Sequence, residues 1–124
     1  MKNVIVTGGS RGIGKCIVEN LAREGYNVIL NYNKSEKQAR KIQNELREEG
    51  ILIEIYKADV SKREEVKKLV NFAIEKWESI DVLINNAGIA KLQMFQDVTE
   101  NDWDEIINTN LKSAFYMSQE VLPN

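Results

Sequence analysis

The stretch Val4-Ile5-Val6-Thr7-Gly8-Gly9-Ser10-Arg11-Gly12-Ile13-Gly14 constrains this chain more than any other. Val4, Ile5 and Val6 are β-branched and continuous, the pattern of a strand covered on both faces. Gly8, Gly12 and Gly14 follow at once. Glycine lets the backbone turn through positive φ and approach a ligand without a Cβ in the way. Helical periodicity then sets in, with Ile13, Ile17 or Val18, and Leu21 on one side. A glycine turn that opens a helix offers free N–H groups and the positive end of the helix dipole, and both favour a phosphate. The spacing is G-x-x-x-G-x-G rather than the general dinucleotide fingerprint G-x-G-x-x-G. Taken alone, the loop therefore reads either as a nucleotide site or as a plain tight turn.

Composition removes several function classes. At 124 residues the chain makes one domain at most. A net charge of −2 argues against a nucleic-acid-binding surface. No apolar run approaches the ~20 residues of a membrane span. The N-terminus, Met1-Lys2-Asn3-Val4, lacks the layout of a signal peptide. The single cysteine, Cys16, cannot form an internal disulfide and fits a reducing compartment. Together these features predict a cytoplasmic protein without membrane or nucleic-acid partners. Cys16 itself reads as a small packing residue of the first helix. The absence of histidine excludes a Ser-His-Asp triad, a Cys-His pair and a histidine-ligated metal within this chain. The carboxylates are interleaved with lysines and arginines, the pattern of solvated helix faces rather than of a metal cluster.

Beyond the first helix, Gly25 reads as a C-terminal stop and Val28-Ile29-Leu30 as a second buried strand. Ser35 is a candidate N-cap with Gln38 at the capping-box position. Ala39, Ile42 and Leu46 form the stripe of a second helix that ends at Gly50. Residues 51–55 read as a third strand. Ser61, with Glu64, is expected to cap a third helix striped by Val66, Leu69, Val70, Ala73, Ile74 and Trp77. Residues 80–84 form a fourth strand, closed by Asn85-Asn86-Ala87-Gly88. This alternation implies an α/β fold, with a parallel sheet, right-handed crossovers and helices on both faces.

Residues 89–98 read as a loop whose Leu92, Met94 and Phe95 either border a ligand crevice or pack beneath the loop. Thr99, with Asp102, caps a last long helix. Its stripe is Trp103, Ile106, Ile107, Asn110, Leu111, Ala114, Phe115, Ser118, Val121 and Leu122. Asn110 is a carboxamide at a position this periodicity makes buried. An unpaired buried amide costs roughly 1–3 kcal/mol, so Asn110 needs partners. It serves either a structural hydrogen bond to a strand end or an active site.

Four features now coincide: Thr7 to Gly14, Asp59-Val60, Asn85-Asn86-Ala87-Gly88 and Thr109-Asn110-Leu111. In order and spacing they resemble the classical short-chain dehydrogenase/reductase family, and within it the 3-oxoacyl thioester reductases of fatty acid synthesis. The resemblance spans the whole chain. It implies a Rossmann-type doubly wound sheet of strand order 3-2-1-4 and a homo-oligomer. It also implies a nicotinamide dinucleotide, with Gly8, Ser10, Arg11, Gly12 and Ile13 around its pyrophosphate and adenosine. Gly14 and Asn33 belong to the same cofactor-binding set. Asp59 would meet the adenine amino group, with Val60 beside the ring. Asn86, Ala87 and Gly88 would line the adenosine ribose, with Thr7 tied to that segment. Asn110 would be the family's active-site asparagine, holding a water in a proton relay that ends at a lysine.

Cofactor choice has a physical basis. NAD-specific folds place Asp or Glu at the end of the second strand to bind the ribose 2′-hydroxyl. Here that stretch is Asn31-Tyr32-Asn33, and Arg11 and Lys34 are the nearby cations. A charge-assisted bond to a 2′-phosphate contributes about 1.5–3 kcal/mol. NADP(H) is therefore expected over NAD(H).

The sequence also departs from the family pattern. Family members are about twice this length, and their catalytic Ser and Tyr-x-x-x-Lys follow the last helix seen here. Tyr116 is followed at the lysine spacing by Glu120. The 124 residues are thus expected to supply the cofactor half of a carbonyl or acyl-thioester reductase and to be inactive alone. The alternative is a non-catalytic dinucleotide-binding or interaction module. A nucleotide-using methyltransferase is disfavoured by Asn85-Asn86-Ala87-Gly88 and Asn110. The fourth strand is expected to be an open apolar edge that promotes association.

Overall fold

The computed structural model describes residues 2–88 and 94–124. Its elements are β1 (Asn3–Val6), α1 (Gly12–Arg23), β2 (Asn27–Tyr32), α2 (Glu36–Glu48), β3 (Glu54–Lys57), α3 (Arg63–Trp77) and β4 (Val82–Ile84). A short 3-10 turn (Phe95–Asp97), α4 (Glu100–Ile107), a π-helical turn (Asn108–Lys112) and α5 (Ser113–Val121) complete it. The strands form one parallel sheet in the order β3-β2-β1-β4, as the alternation predicts.

Alternate residues of each strand face opposite helix layers. Val4, Val6, Val28 and Leu30 pack with Val18 and Ala22 of α1 and Ala39, Ile42 and Leu46 of α2. Ile5 and Ile29 pack on the other face with Val66, Leu69, Val70 and Ala73 of α3 and Met117 and Val121 of α5. The result is a three-layer α/β/α sandwich with all four strand C-termini at one end.

Several local expectations are corrected. The third strand starts later than residues 51–55, because the backbone there serves the end of α2. Ile51 N–H donates to Leu46 O, and Ile53 O accepts from Gln43 Nε2. Ser35 makes no side-chain cap. Ser61 makes none either, because its hydroxyl and N–H both donate to Asp59 Oδ1, at 2.6 and 3.0 Å, and α3 begins after Lys62. The box expected at Glu64 is replaced by Glu65, whose Oε1 accepts from Asp59 N–H at 2.8 Å. Thr99 and Asp102 form the reciprocal capping box as expected. In α1 the buried line is Gly14, Val18 and Ala22, whereas Ile13 is 74% exposed and Cys16 is exposed rather than packed.

The largest correction concerns the last helix. It is not one continuous α-helix, because a π turn inserts a wider loop at Asn108–Lys112. A single 3.6-residue phase cannot run through that turn. The buried line beyond it is Ser113, Met117 and Val121. Trp103, Leu111 and Leu122, expected in the core, are 60%, 64% and 82% exposed, and Phe115 is exposed as well. Asn110 is exposed too, so its partners cannot be inferred from burial.

Candidate functional site

Chain segments leave the C-terminal ends of all four strands and enclose a cavity of about 500 Å³. This is the crevice where open α/β sheets hold ligands, beside the point at which the strand order reverses. After β1 come Gly8, Ser10, Arg11 and Gly12. After β2 come Asn33 and Lys34, after β3 Asp59 and Val60, and after β4 Asn86, Ala87 and Gly88. All of these were singled out from sequence, and the fold brings them together.

The glycine loop is built to stay in place. Thr7 is buried, and its Oγ1 accepts from the N–H groups of Asn86 and Ala87, both at 3.0 Å. Thr7 N–H in turn donates to Ile84 O at 3.1 Å. Asn86 Nδ2 donates to Gly8 O at 2.9 Å, and Asn31 Oδ1 accepts from Gly8 N–H at 3.3 Å. Gly8 is thus clamped by two carboxamides, one from each neighbouring strand. A Cβ at Gly14 would collide with Gly8 O and Asn86 Nδ2. A Cβ at Gly12, which has φ +59°, would meet nothing within 4 Å. One glycine therefore serves close packing, and the other a left-handed turn that faces open space.

Four residues of the expected set stand outside the cavity lining. Thr7 and Gly14 lie behind the loop and shape it. Ile13 is exposed on the first turn of α1 and does not line the cavity. Asn110 projects from the π turn toward Gly88: a Cβ built on Gly88 would lie 3.2 Å from Asn110 Oδ1. Of the loop side chains, Leu92 lies outside the described residues. Met94 and Phe95 are exposed and neither line the cavity nor pack beneath the loop.

Sequence reasoning missed Asn31, Tyr32, Ser35, Ala58, Ser61, Glu105 and Thr109, which also line the cavity. Asn31 carried a readable signal, being a carboxamide inside the apolar strand β2. It is 2% exposed. Its Nδ2 donates to Ala58 O at 3.1 Å and Tyr56 O at 3.3 Å, which ties the β3 exit to the glycine loop. Glu105 and Thr109 sit one helical turn apart and reach the cavity from α4 and the π turn; Thr109 stands in the motif quoted around Asn110, whereas no local motif marks Glu105.

The cavity lining carries charge of both signs, Arg11 and Lys34 with Asp59 and Glu105. Gly12, the first residue of α1, lies beside Arg11 in that lining, and a helix N-terminus favours a phosphate. Among the described residues, neither cation is in an ion pair. No carboxylate occupies Asn31-Tyr32-Asn33. Burial, and then a hydrogen bond to Glu36, push the Tyr32 hydroxyl above the ordinary phenol value. It therefore stays protonated at neutral pH. Among the described residues no group of acidic, cysteine or histidine side chains could hold a metal ion, and no helix is long and apolar enough to cross a membrane.

Comparison with known proteins agrees with this geometry. Residues 2–124 match the family profile of the short chain dehydrogenases. The chain is 42% identical, over 98% of its length, to the 3-oxoacyl-[acyl-carrier-protein] reductase FabG of Staphylococcus epidermidis, of which it covers 50%. A short chain dehydrogenase from Burkholderia cenocepacia, solved in complex with NADP, superimposes with a TM-score of 0.93 at 32% identity, over 99% of this chain and 50% of that one. A blue fluorescent protein from a metagenomic library, solved with NADPH, gives 0.90 at 33% identity, over 99% and 51%. The chain spans about half the length of these relatives. On its fold, its glycine loop and these matches, the chain belongs to the short-chain dehydrogenase/reductase family.

Proposed function

We propose that this chain is the cofactor half of an NADPH-dependent short-chain reductase that acts on a carbonyl, most specifically a 3-oxoacyl thioester. The observation that carries the cofactor reading is the end of β2. It bears Asn31, Tyr32 and Asn33 in place of a carboxylate, with Arg11 and Lys34 facing the same cavity. The residues fit the group: the glycine loop leaves room for a pyrophosphate, and the two cations suit a 2′-phosphate. Gly8, Ser10 and Gly12 would hold the pyrophosphate and Arg11 and Lys34 the 2′-phosphate. Asp59 and Val60 would flank the adenine, and Asn86, Ala87 and Gly88 the ribose. When bound, the nicotinamide supplies a hydride to the substrate carbonyl.

The proposed role of Asn110 is to hold a water in the proton relay. Its place against Gly88, on a π turn of the kind that recurs at functional sites, supports this reading. The general acid of such a reduction would be the Tyr of a Tyr-x-x-x-Lys pair, which lies in the half of the relatives that this chain does not span. The substrate class rests on the likeness to the staphylococcal reductase.

Arg11→Ala tests the cofactor reading. The NADPH-over-NADH affinity ratio of the chain, measured by titration calorimetry, should fall about tenfold. An unchanged ratio would refute the assignment of Arg11 to the 2′-phosphate.

A further inference from the structure

Glu36 is the first residue of α2, directly after the Asn33–Ser35 wall of the cavity, yet it does not line that cavity. Its Oε1 accepts from Tyr32 Oη at 3.2 Å and lies 3.6 Å from Arg40 Nη2. Tyr32 is buried at the end of β2 and does line the cavity. It occupies the strand end where a carboxylate would select an unphosphorylated ribose. A carboxylate is therefore present one turn further on, tethered by a tyrosine from below and an arginine from the next turn.

We propose that the Tyr32 hydroxyl, backed by Arg40, is a selectivity latch: it holds Glu36 away from the cavity, so that Arg11 and Lys34 meet a phosphorylated ribose without a competing carboxylate from α2. This rests on the NADPH reading given above. Tyr32 and Arg40 act through Glu36 and are positioning residues. With the latch released, the Glu36 carboxylate reaches the ribose edge. There it repels a 2′-phosphate and can accept from a 2′-hydroxyl.

The test is a double-mutant cycle on the full chain, with NADPH and NADH as the probes. Tyr32→Phe should lower the NADPH/NADH affinity ratio about fivefold, while Glu36→Gln alone changes it less than twofold. In the Tyr32→Phe, Glu36→Gln double variant the ratio should return to that of the unmodified chain. A ratio unmoved by Tyr32→Phe, or one that Glu36→Gln does not restore, overturns the latch. Should Tyr32→Phe fail to fold, Arg40→Met read in the same cycle with Glu36→Gln decides by the same criteria. An unmodified chain with no preference for NADPH refutes the cofactor reading itself, and the latch with it. A ratio that stays at the unmodified chain's value in every variant refutes the latch alone.

Discussion

The loop side of the sheet and the outer face of α4–α5 follow opposite rules. At the loop side Thr7, Gly8, Asn31, Asn86 and Ala87 share a closed set of hydrogen bonds, and glycines permit contacts that a Cβ would block. Over α4, the π turn and α5, the large side chains Trp103, Leu111, Phe115 and Leu122 stand in solvent. One region is held by hydrogen bonds among its own residues. The other has the exposed apolar character of a surface made to be covered. Beside it, β4 pairs with β1 alone among the described strands. The comparison teaches that the loop side of the sheet can be closed by its own hydrogen bonds while the helical face beside it leaves large apolar side chains in solvent.

Substitutions that enter the closed set should have the largest effects. Gly14→Ala drives a methyl into Gly8 O and the Asn86 carboxamide. It should destabilise the fold by about 3 kcal/mol, read as the midpoint of urea unfolding, and abolish dinucleotide binding. Thr7→Val keeps the shape and removes the acceptor for Asn86 and Ala87 N–H, at an expected loss of about 2 kcal/mol by the same measurement. A loss below about 0.5 kcal/mol would show that the strap between β1 and β4 is not a source of stability.

The apolar face should respond in the opposite sense. Trp103→Glu and Leu122→Glu should change stability by no more than about 0.5 kcal/mol. They should nonetheless shift the chain toward monomer in sedimentation velocity. Unchanged association would mean that this face is not what brings copies together.

The smallest effect is electrostatic. The hydrogen bond from Arg23, and its charge, hold the Glu49 carboxyl below the ordinary carboxylate value. Its folded pKa is depressed, so its contribution is present above the ordinary value and is lost as pH falls through the lowered one. Glu49→Gln should flatten a small part of the acid limb of stability, measured as Tm against pH. The pair is exposed, so the change should shrink further in high salt.

The same contrast explains what the sequence made legible. The apolar runs at Val4–Val6 and Val28–Leu30, punctuated by glycines, announced strand, turn and helix, because the burial of those strands is decided within a few residues. The loops after all four strands could be named from sequence, since a parallel sheet brings its strand ends together. A buried carboxamide is expected at Asn110, but Asn110 is exposed, and among the cavity residues the buried one is Asn31. Helical phase carried the reading astray there. The π turn resets that phase, and nothing in a 3.6-residue periodicity announces such a reset. Capping failed at Ser61 for a related reason, as its hydroxyl was claimed by Asp59.

The central claim is that this chain carries a ready-formed site for a phosphorylated dinucleotide at the C-terminal ends of its strands. Amide chemical-shift mapping of the labelled chain during an NADPH titration tests it most directly. The account predicts saturable shifts at Gly8, Gly12, Lys34, Asp59, Val60 and Ala87, with NADH producing them at about tenfold higher concentration. Absence of shifts at millimolar NADPH, or shifts confined to α4 and α5, would contradict it.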